Sequence, residues 1–292
     1  MSNLTEADVL IEARQFVTGL DLSNIGQDLG VYIEKAGASL RNEELGVGES
    51  GYSLPAKGGA WRIVVNSLES LERQRFTICH EIAHIVLGLS STHDEVKSWA
   101  YAKRDINETW CDIFAAELLM PLSEFKAAMG DEEPSFELIE TLAATFNTSF
   151  PATASRLATL ADSPVAYVTM DRGMIRHAAR STSLRKVNAW IAPRSSIPAG
   201  SVAHTLRAEQ VNACETREVA QDIWFAEWGK GSDLWEMSRH YARYDQTVSL
   251  LWFDEEDLPA EDLRRFKIGA TEDERLNELT GELPWPGKKR RR

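Results

Sequence analysis

Cysteine is scarce. Cys79, Cys111 and Cys214 are the three in 292 residues, too few and too scattered for a disulfide framework. They suit a reducing compartment, and the expected location is the cytoplasm. Long apolar runs are also missing. No window approaches the roughly 18 uncharged apolar residues of a membrane span, so no membrane association is expected. The first residues, Met-Ser-Asn-Leu-Thr-Glu-Ala-Asp, hold neither a basic region nor an apolar stretch, so no signal peptide is expected. Positive charge is in deficit: 32 Lys and Arg face 45 Asp and Glu, a net −13. The last five residues, Lys288 to Arg292, are all basic, so the rest of the chain carries −18. A body this acidic repels nucleic-acid phosphates unless its charges are segregated.

What remains is an ordinary globular composition, 43% hydrophobic and 26% charged. The length suits two or three domains. The expected fold class is α+β. Helical spacing of Val9, Leu10, Ala13, Phe16 and Val17 predicts a helix over 5–18, and a second is expected near 23–36. Gly46, Gly48 and Gly51 mark a turn-rich break. Trp61–Val65 reads as a strand with 51–54 as its hairpin partner. Residues 75–87 read as a buried helix stopped by Gly88, 108–120 as another apolar helix, and 134–160 as two short helices around Asn147. After Ala161-Asp162-Ser163-Pro164 the pattern changes. A hairpin is expected across Asp171-Arg172-Gly173, and six of the nine tryptophans follow residue 163, predicting an aromatic core. The resulting division is a first α+β domain over 1–125, a helical segment over 126–162, an α+β domain over 163–283 and a basic tail over 284–292.

The chemistry is concentrated in His80-Glu81-Ile82-Ala83-His84. Residues four apart share a helix face, so His80 and His84 can ligate one ion through their ring nitrogens. Glu81 is turned away by about 100° and can serve as general base to a water at that ion. A third ligand is expected downstream on another helix, and Glu108, 24 residues after His84, fits. Asp112 is one turn further and can orient an imidazole through its other nitrogen. Two imidazoles and a carboxylate make zinc the default and leave manganese open. Competing readings are core histidines satisfied by backbone, a Glu108 that merely favours a helix N-terminus, a surface Asp112, and Cys111 as an alternative thiolate ligand. His93 could stabilise an oxyanion or be a plain loop residue.

The order H-E-x-x-H, then E-x-x-x-D, resembles the gluzincin metallopeptidases. More specifically, Arg75-Phe-Thr-Ile-Cys-His-Glu-Ile-Ala-His84 with Phe114-Ala-Ala-Glu-Leu-Leu-Met-Pro121 resembles the ImmA/IrrE family, and Glu108-Thr-Trp-Cys-Asp112 its radiation-response branch. The resemblance is strong over residues 1–125. It implies a zincin-like metallopeptidase domain, a helix-turn-helix-like segment and a GAF-like or other sensor domain. It also implies Glu108 as third ligand, and as substrate a helix-turn-helix repressor of the XRE class whose cleavage derepresses stress, phage or mobile-element genes. The alternative is a non-catalytic, metal-containing transcription regulator or scaffold. No residue clearly matches a transition-state tyrosine or histidine.

Two further expectations follow from the residues. Phe136–Leu160 has helix-turn-helix cadence, but residues 126–162 sum to −4, which argues against direct DNA binding. An extended substrate is expected along the edge of strand 61–66. Oligomeric state is left open by the sequence.

Overall fold

A computed structural model describes residues 4–46, 48–90, 105–228 and 232–258. These fall into two compact units, Met1–Gly130 with Thr141–Phe150, and Asp131–Glu140 with Pro151 onward. His93, Trp285 and the basic tail lie outside the described residues.

The first unit opens with α1 (Glu6–Val17), started by a capping box in which Thr5 and Asp8 satisfy each other's backbone N–H groups. Its buried stripe is Val9, Ala13 and Phe16. α2 (Gly30–Lys35) is shorter than the helix expected over 23–36. The Asp28 side chain accepts the Gly30 N–H at 2.8 Å and starts the helix there. β1 (Ala38–Glu43), β2 (Gly51–Pro55) and β3 (Trp61–Asn66) form a sheet of order β1-β3-β2. β2 pairs antiparallel with β3, as its hairpin reading anticipated, whereas β1 pairs parallel. β3 is therefore central, with Ile63, Val64 and Val65 buried. This corrects the expected substrate site: both edges of β3 are occupied, and the sheet's own edges are β1 and β2.

α3 (Leu71–Leu87) lies against β2 and β3 and packs on α4 (Ile106–Leu119), which also packs on α1. α5 (Leu122–Met129) follows Pro121. Phe16 meets Tyr32 and Phe114 at 6.0 and 5.9 Å between ring centroids, and the Tyr32 hydroxyl donates to the Leu118 carbonyl at 3.0 Å. α6 (Phe136–Phe146) and α7 (Phe150–Leu160) flank Asn147, whose φ of 50° turns the chain.

The second unit contains β4 (Val165–Asp171), β5 (Met174–Arg180), β6 (Ala213–Ala220), β7 (Asp233–Tyr241) and β8 (Gln246–Trp252). Their order is β5-β4-β8-β7-β6, antiparallel throughout. The expected hairpin joins β4 to β5. Arg172 and Gly173 both have positive φ, as a two-residue turn of matching twist requires. Short helices α8 (Thr182–Lys186), α9 (Val202–Glu209) and α10 (Gln221–Trp224) belong to the same unit, as does α7 from Pro151 onward.

Its core is largely aliphatic, built from residues such as Val168, Leu184, Val202 and Leu251. The expected aromatic core reduces to a cluster of Phe225, Trp228 and Phe253 beside Trp224. Trp235 instead lies 40% exposed and stacked on Trp252. Among the described residues no helix is long and apolar enough to cross a membrane.

Candidate metal centre

Two helices build the site, and each is fixed by a local signal. The Ser70 hydroxyl caps α3 by accepting the Arg73 N–H at 3.3 Å. Gly88 ends it in the left-handed conformation, φ 64°, returning its N–H to the His84 carbonyl. His80, Glu81 and His84 thus sit in the last two turns of a regular helix. α4 begins where the Asp105 carboxylate accepts the Asn107 N–H at 2.9 Å. That start places Glu108 in the first turn and Asp112 one turn later.

The packing of α3 on α4 brings the side chains together. Nε2 of His80 and Nε2 of His84 are 3.1 Å apart. Glu108 Oε2 lies 3.1 Å from His80 Nε2, and its Oε1 lies 3.6 Å from His84 Nε2. One ligand atom from each of the three residues falls within 4.8 Å of the others. Cys111, the alternative thiolate, is buried and free and is not part of this group. Burial pushes its thiol well above the usual range, helped by the charges of Glu108 and Asp112.

The remaining hydrogen bonds decide the tautomers. Asp112 Oδ1 lies 2.8 Å from His80 Nδ1, and the Leu89 carbonyl lies 3.1 Å from His84 Nδ1. A carboxylate and a carbonyl only accept, so both Nδ1 atoms carry the proton. In neutral imidazoles each Nε2 then presents a lone pair. Two lone pairs and a carboxylate converging on one point repel unless something positive sits among them. The donor set fits a divalent ion for that reason, not only by residue type.

A proton on His80 Nε2 meets the same demand in place of an ion. Burial opposes charging of His80, but hydrogen bonds to Asp112 and Glu108, with the charges of Asp112 and Glu81, outweigh it and raise the imidazole to about 10. Burial likewise opposes the Glu108 carboxylate. Its hydrogen bonds to His80 and His84 outweigh that and hold its carboxyl far below the ordinary carboxylate range. The pocket is tuned to hold positive charge.

Glu81 is 2% exposed, beside the ligand group and outside it. Its Oε2 accepts the Ser53 hydroxyl at 2.7 Å. Sequence reasoning missed Ser53. The one signal was its place two residues after Gly51 in the strand paired with β3, a pattern far too common to single out.

Residues 33–158 match the peptidase M78 family model, the IrrE N-terminal-like domain. The chain carries an IrrE N-terminal-like domain. The helices that carry His80, His84 and Glu108 both lie inside it. A 64-residue stretch is 45% identical to the radiation response metalloprotease IrrE of Deinococcus deserti, over 20% of this chain and 22% of that protein. The Deinococcus radiodurans protein of the same name is 44% identical over 64 residues, 20% of this chain and 19% of its own. The match thus spans about a fifth of the length of these curated relatives. The solved structure of a Mycobacterium tuberculosis transcriptional regulator aligns with TM-score 0.55 and 17% identity, over 84% of this chain and 76% of that one. That likeness is one of fold. His80, His84 and Glu108 all lie within the residues matched by that domain model.

Proposed function

We propose that this chain is a regulatory metalloendopeptidase that hydrolyses a peptide bond in a helix-turn-helix repressor of the XRE class, relieving repression of stress, phage or mobile-element genes. The observation that carries the catalytic part is the convergence of His80 Nε2, His84 Nε2 and Glu108 within 4.8 Å, with the buried Glu81 next to His80 on the same helix. The repressor follows from the resemblance to the ImmA/IrrE family, and the names of the Deinococcus proteins support a metalloprotease.

His80, His84 and Glu108 would hold one divalent ion, zinc by preference and manganese as the alternative. When bound, that ion supplies Lewis acidity toward water and the scissile carbonyl. Asp112 holds the His80 ring in the tautomer that leaves Nε2 free to ligate. Glu81 takes a proton from the attacking water and returns it to the departing amine. β2 is the sheet edge nearest this carboxylate, since its Ser53 touches Glu81, and an extended substrate would pair along it. The acidic body, together with the −4 of residues 126–162, favours a basic DNA-binding protein over DNA itself as partner.

The deciding experiment incubates the purified protein with the helix-turn-helix protein encoded beside it. Zinc-dependent fragments that disappear with chelator and with Glu81→Gln support the reading. Intact repressor under every condition rejects it.

A further inference from the structure

β2 and α3 meet face to face, and the contact is periodic on both sides. Residues two apart share a strand face, and residues four apart share a helix face. Gly51 and Ser53 are such a pair on β2; Thr77 and Glu81 are such a pair on α3. The two pairs stack in order. A Cβ at Gly51 would lie 2.5 Å from the Val64 carbonyl oxygen and 2.6 Å from Thr77 Cγ2. Only glycine lets the strand come this close to the helix. Thr77 directs its hydroxyl to the Arg73 carbonyl at 3.0 Å, while its methyl group faces Gly51. Two residues further along the strand, the short Ser53 side chain reaches Glu81 Oε2 at 2.7 Å.

We propose that Ser53 is a positioning residue for Glu81, and that Gly51 sets the strand–helix distance that makes it one. The last torsion of a glutamate is broad and nearly two-fold, so an untethered carboxylate samples several orientations. The serine hydroxyl removes that freedom and makes the two oxygens unequal. Oε2 is committed to accepting from Ser53, and Oε1 is left to receive a proton. Proton transfer keeps this arrangement: once Oε1 is protonated, Oε2 still accepts the same hydroxyl. Ser53 acts through Glu81, because its hydroxyl is given to that carboxylate. The inference rests on the proton-transfer role of Glu81 proposed above.

The test compares zinc-loaded wild type, Ser53→Ala, Ser53→Thr and Glu81→Gln. A proteome-derived peptide library read by mass spectrometry supplies a cleaved peptide for kinetics. Zinc affinity is measured by competition with a chromogenic chelator, and folding by thermal melting. Ser53→Ala should bind zinc and melt as wild type does. Its kcat should fall roughly ten- to a hundredfold while KM stays within about twofold, because the lost interaction acts on the reacting group. Ser53→Thr, which keeps the hydroxyl, should recover most of kcat. A crystal structure of zinc-loaded Ser53→Ala should show Glu81 in more than one orientation.

Wild-type kcat in Ser53→Ala, beside an inactive Glu81→Gln, would overturn the positioning role and leave the peptidase reading standing. Loss of zinc or of folding in Ser53→Ala would make the serine a structural residue and overturn it as well. Absence of any zinc-dependent cleavage by wild type would remove the peptidase reading and this inference with it.

Discussion

Asp112 Oδ1 lies 2.8 Å from His80 Nδ1, and the aspartate is 1% exposed. A carboxylate this buried, placed on the imidazole nitrogen that faces away from the ligand cluster, sets both the tautomer and the angle of the ring. Asp112→Ala should therefore weaken zinc binding about 10- to 100-fold without abolishing it. Isothermal titration calorimetry measures this directly. Unchanged affinity would show that the ring is held by packing alone.

Glu108 and Cys111 were both ligand candidates by sequence, and the structure separates them. Glu108 lies among the ring nitrogens, whereas the Cys111 thiol is buried outside that group. Glu108→Ala should lower the zinc content of the purified protein well below one ion per chain, while Cys111→Ser should leave it at one. Metal analysis of both variants checks this, and the reverse pattern would assign the third ligand to the thiolate.

In the second unit, Glu236 is fully buried and accepts three donors: the Ala203 N–H at 2.8 Å, the Trp224 indole N–H at 2.8 Å and the Ser238 hydroxyl at 2.7 Å. The first of these belongs to the opening turn of α9, where a negative charge is also favoured by the helix dipole. Glu236→Ala strands the Ala203 and Trp224 N–H donors in the core, while the Ser238 hydroxyl keeps Ser249 as a partner, and should destabilise the unit by about 2–6 kcal/mol, at about 1–3 kcal/mol for each buried group left unpaired. Glu236→Gln keeps acceptor capacity and should cost less. Urea unfolding followed by tryptophan fluorescence gives both values.

Asp245 answers to pH. Arg207 donates to its two carboxylate oxygens through Nε and Nη2, each at 2.8 Å, and these hydrogen bonds hold the carboxyl below the ordinary range. A lowered carboxyl stabilises the fold above its unfolded value, about 3.9, and loses that contribution as pH falls through the folded value. The advantage of wild type over Asp245→Asn should thus be present at pH 7 and vanish on strong acidification. Asn tolerates the positive φ of 50° at this position, so the comparison isolates the charge. Urea midpoints at the two extremes test it. A constant difference would attribute the effect to the backbone.

Gly51→Ala tests the close approach of β2 to α3. The added methyl group meets the backbone oxygen of Val64, which has no side-chain freedom with which to yield. The strand must shift, with a loss of about 1–3 kcal/mol of stability. Proteolytic activity should fall along with it, because the shift also stretches the Ser53–Glu81 bond. Thermal melting and peptide cleavage measure the two effects separately.

The parts of this architecture that were legible in the sequence are those with strong local signals. α3 carries an apolar pattern and a glycine stop, and its two histidines are one helical turn apart. The β4–β5 hairpin carries its turn residues. β1 escaped notice because Ala38–Glu43 is mostly polar and exposed, and it is a strand only through its parallel ladder with β3. The start of α3 at Leu71 depends on the Ser70 cap, so the apolar pattern from Arg75 onward understates the helix. The central position of β3 is a matter of pairing order, which no local pattern encodes. Ser53 escaped for the same reason: its role arises from two elements meeting, and neither reveals it alone.

Arg75 is 4% exposed, and its guanidinium donates to the carbonyls of Ile25 and Phe146. Phe146 belongs to the first unit by contact, although ten residues of the second unit precede it along the chain. Excising the first unit by cutting at residue 130 would take away one of the acceptors that hold this cation and the packing of Phe146 on Phe125. The two halves are interleaved along the polypeptide, so a shortened fragment stays intact only if it keeps the residues through Phe150.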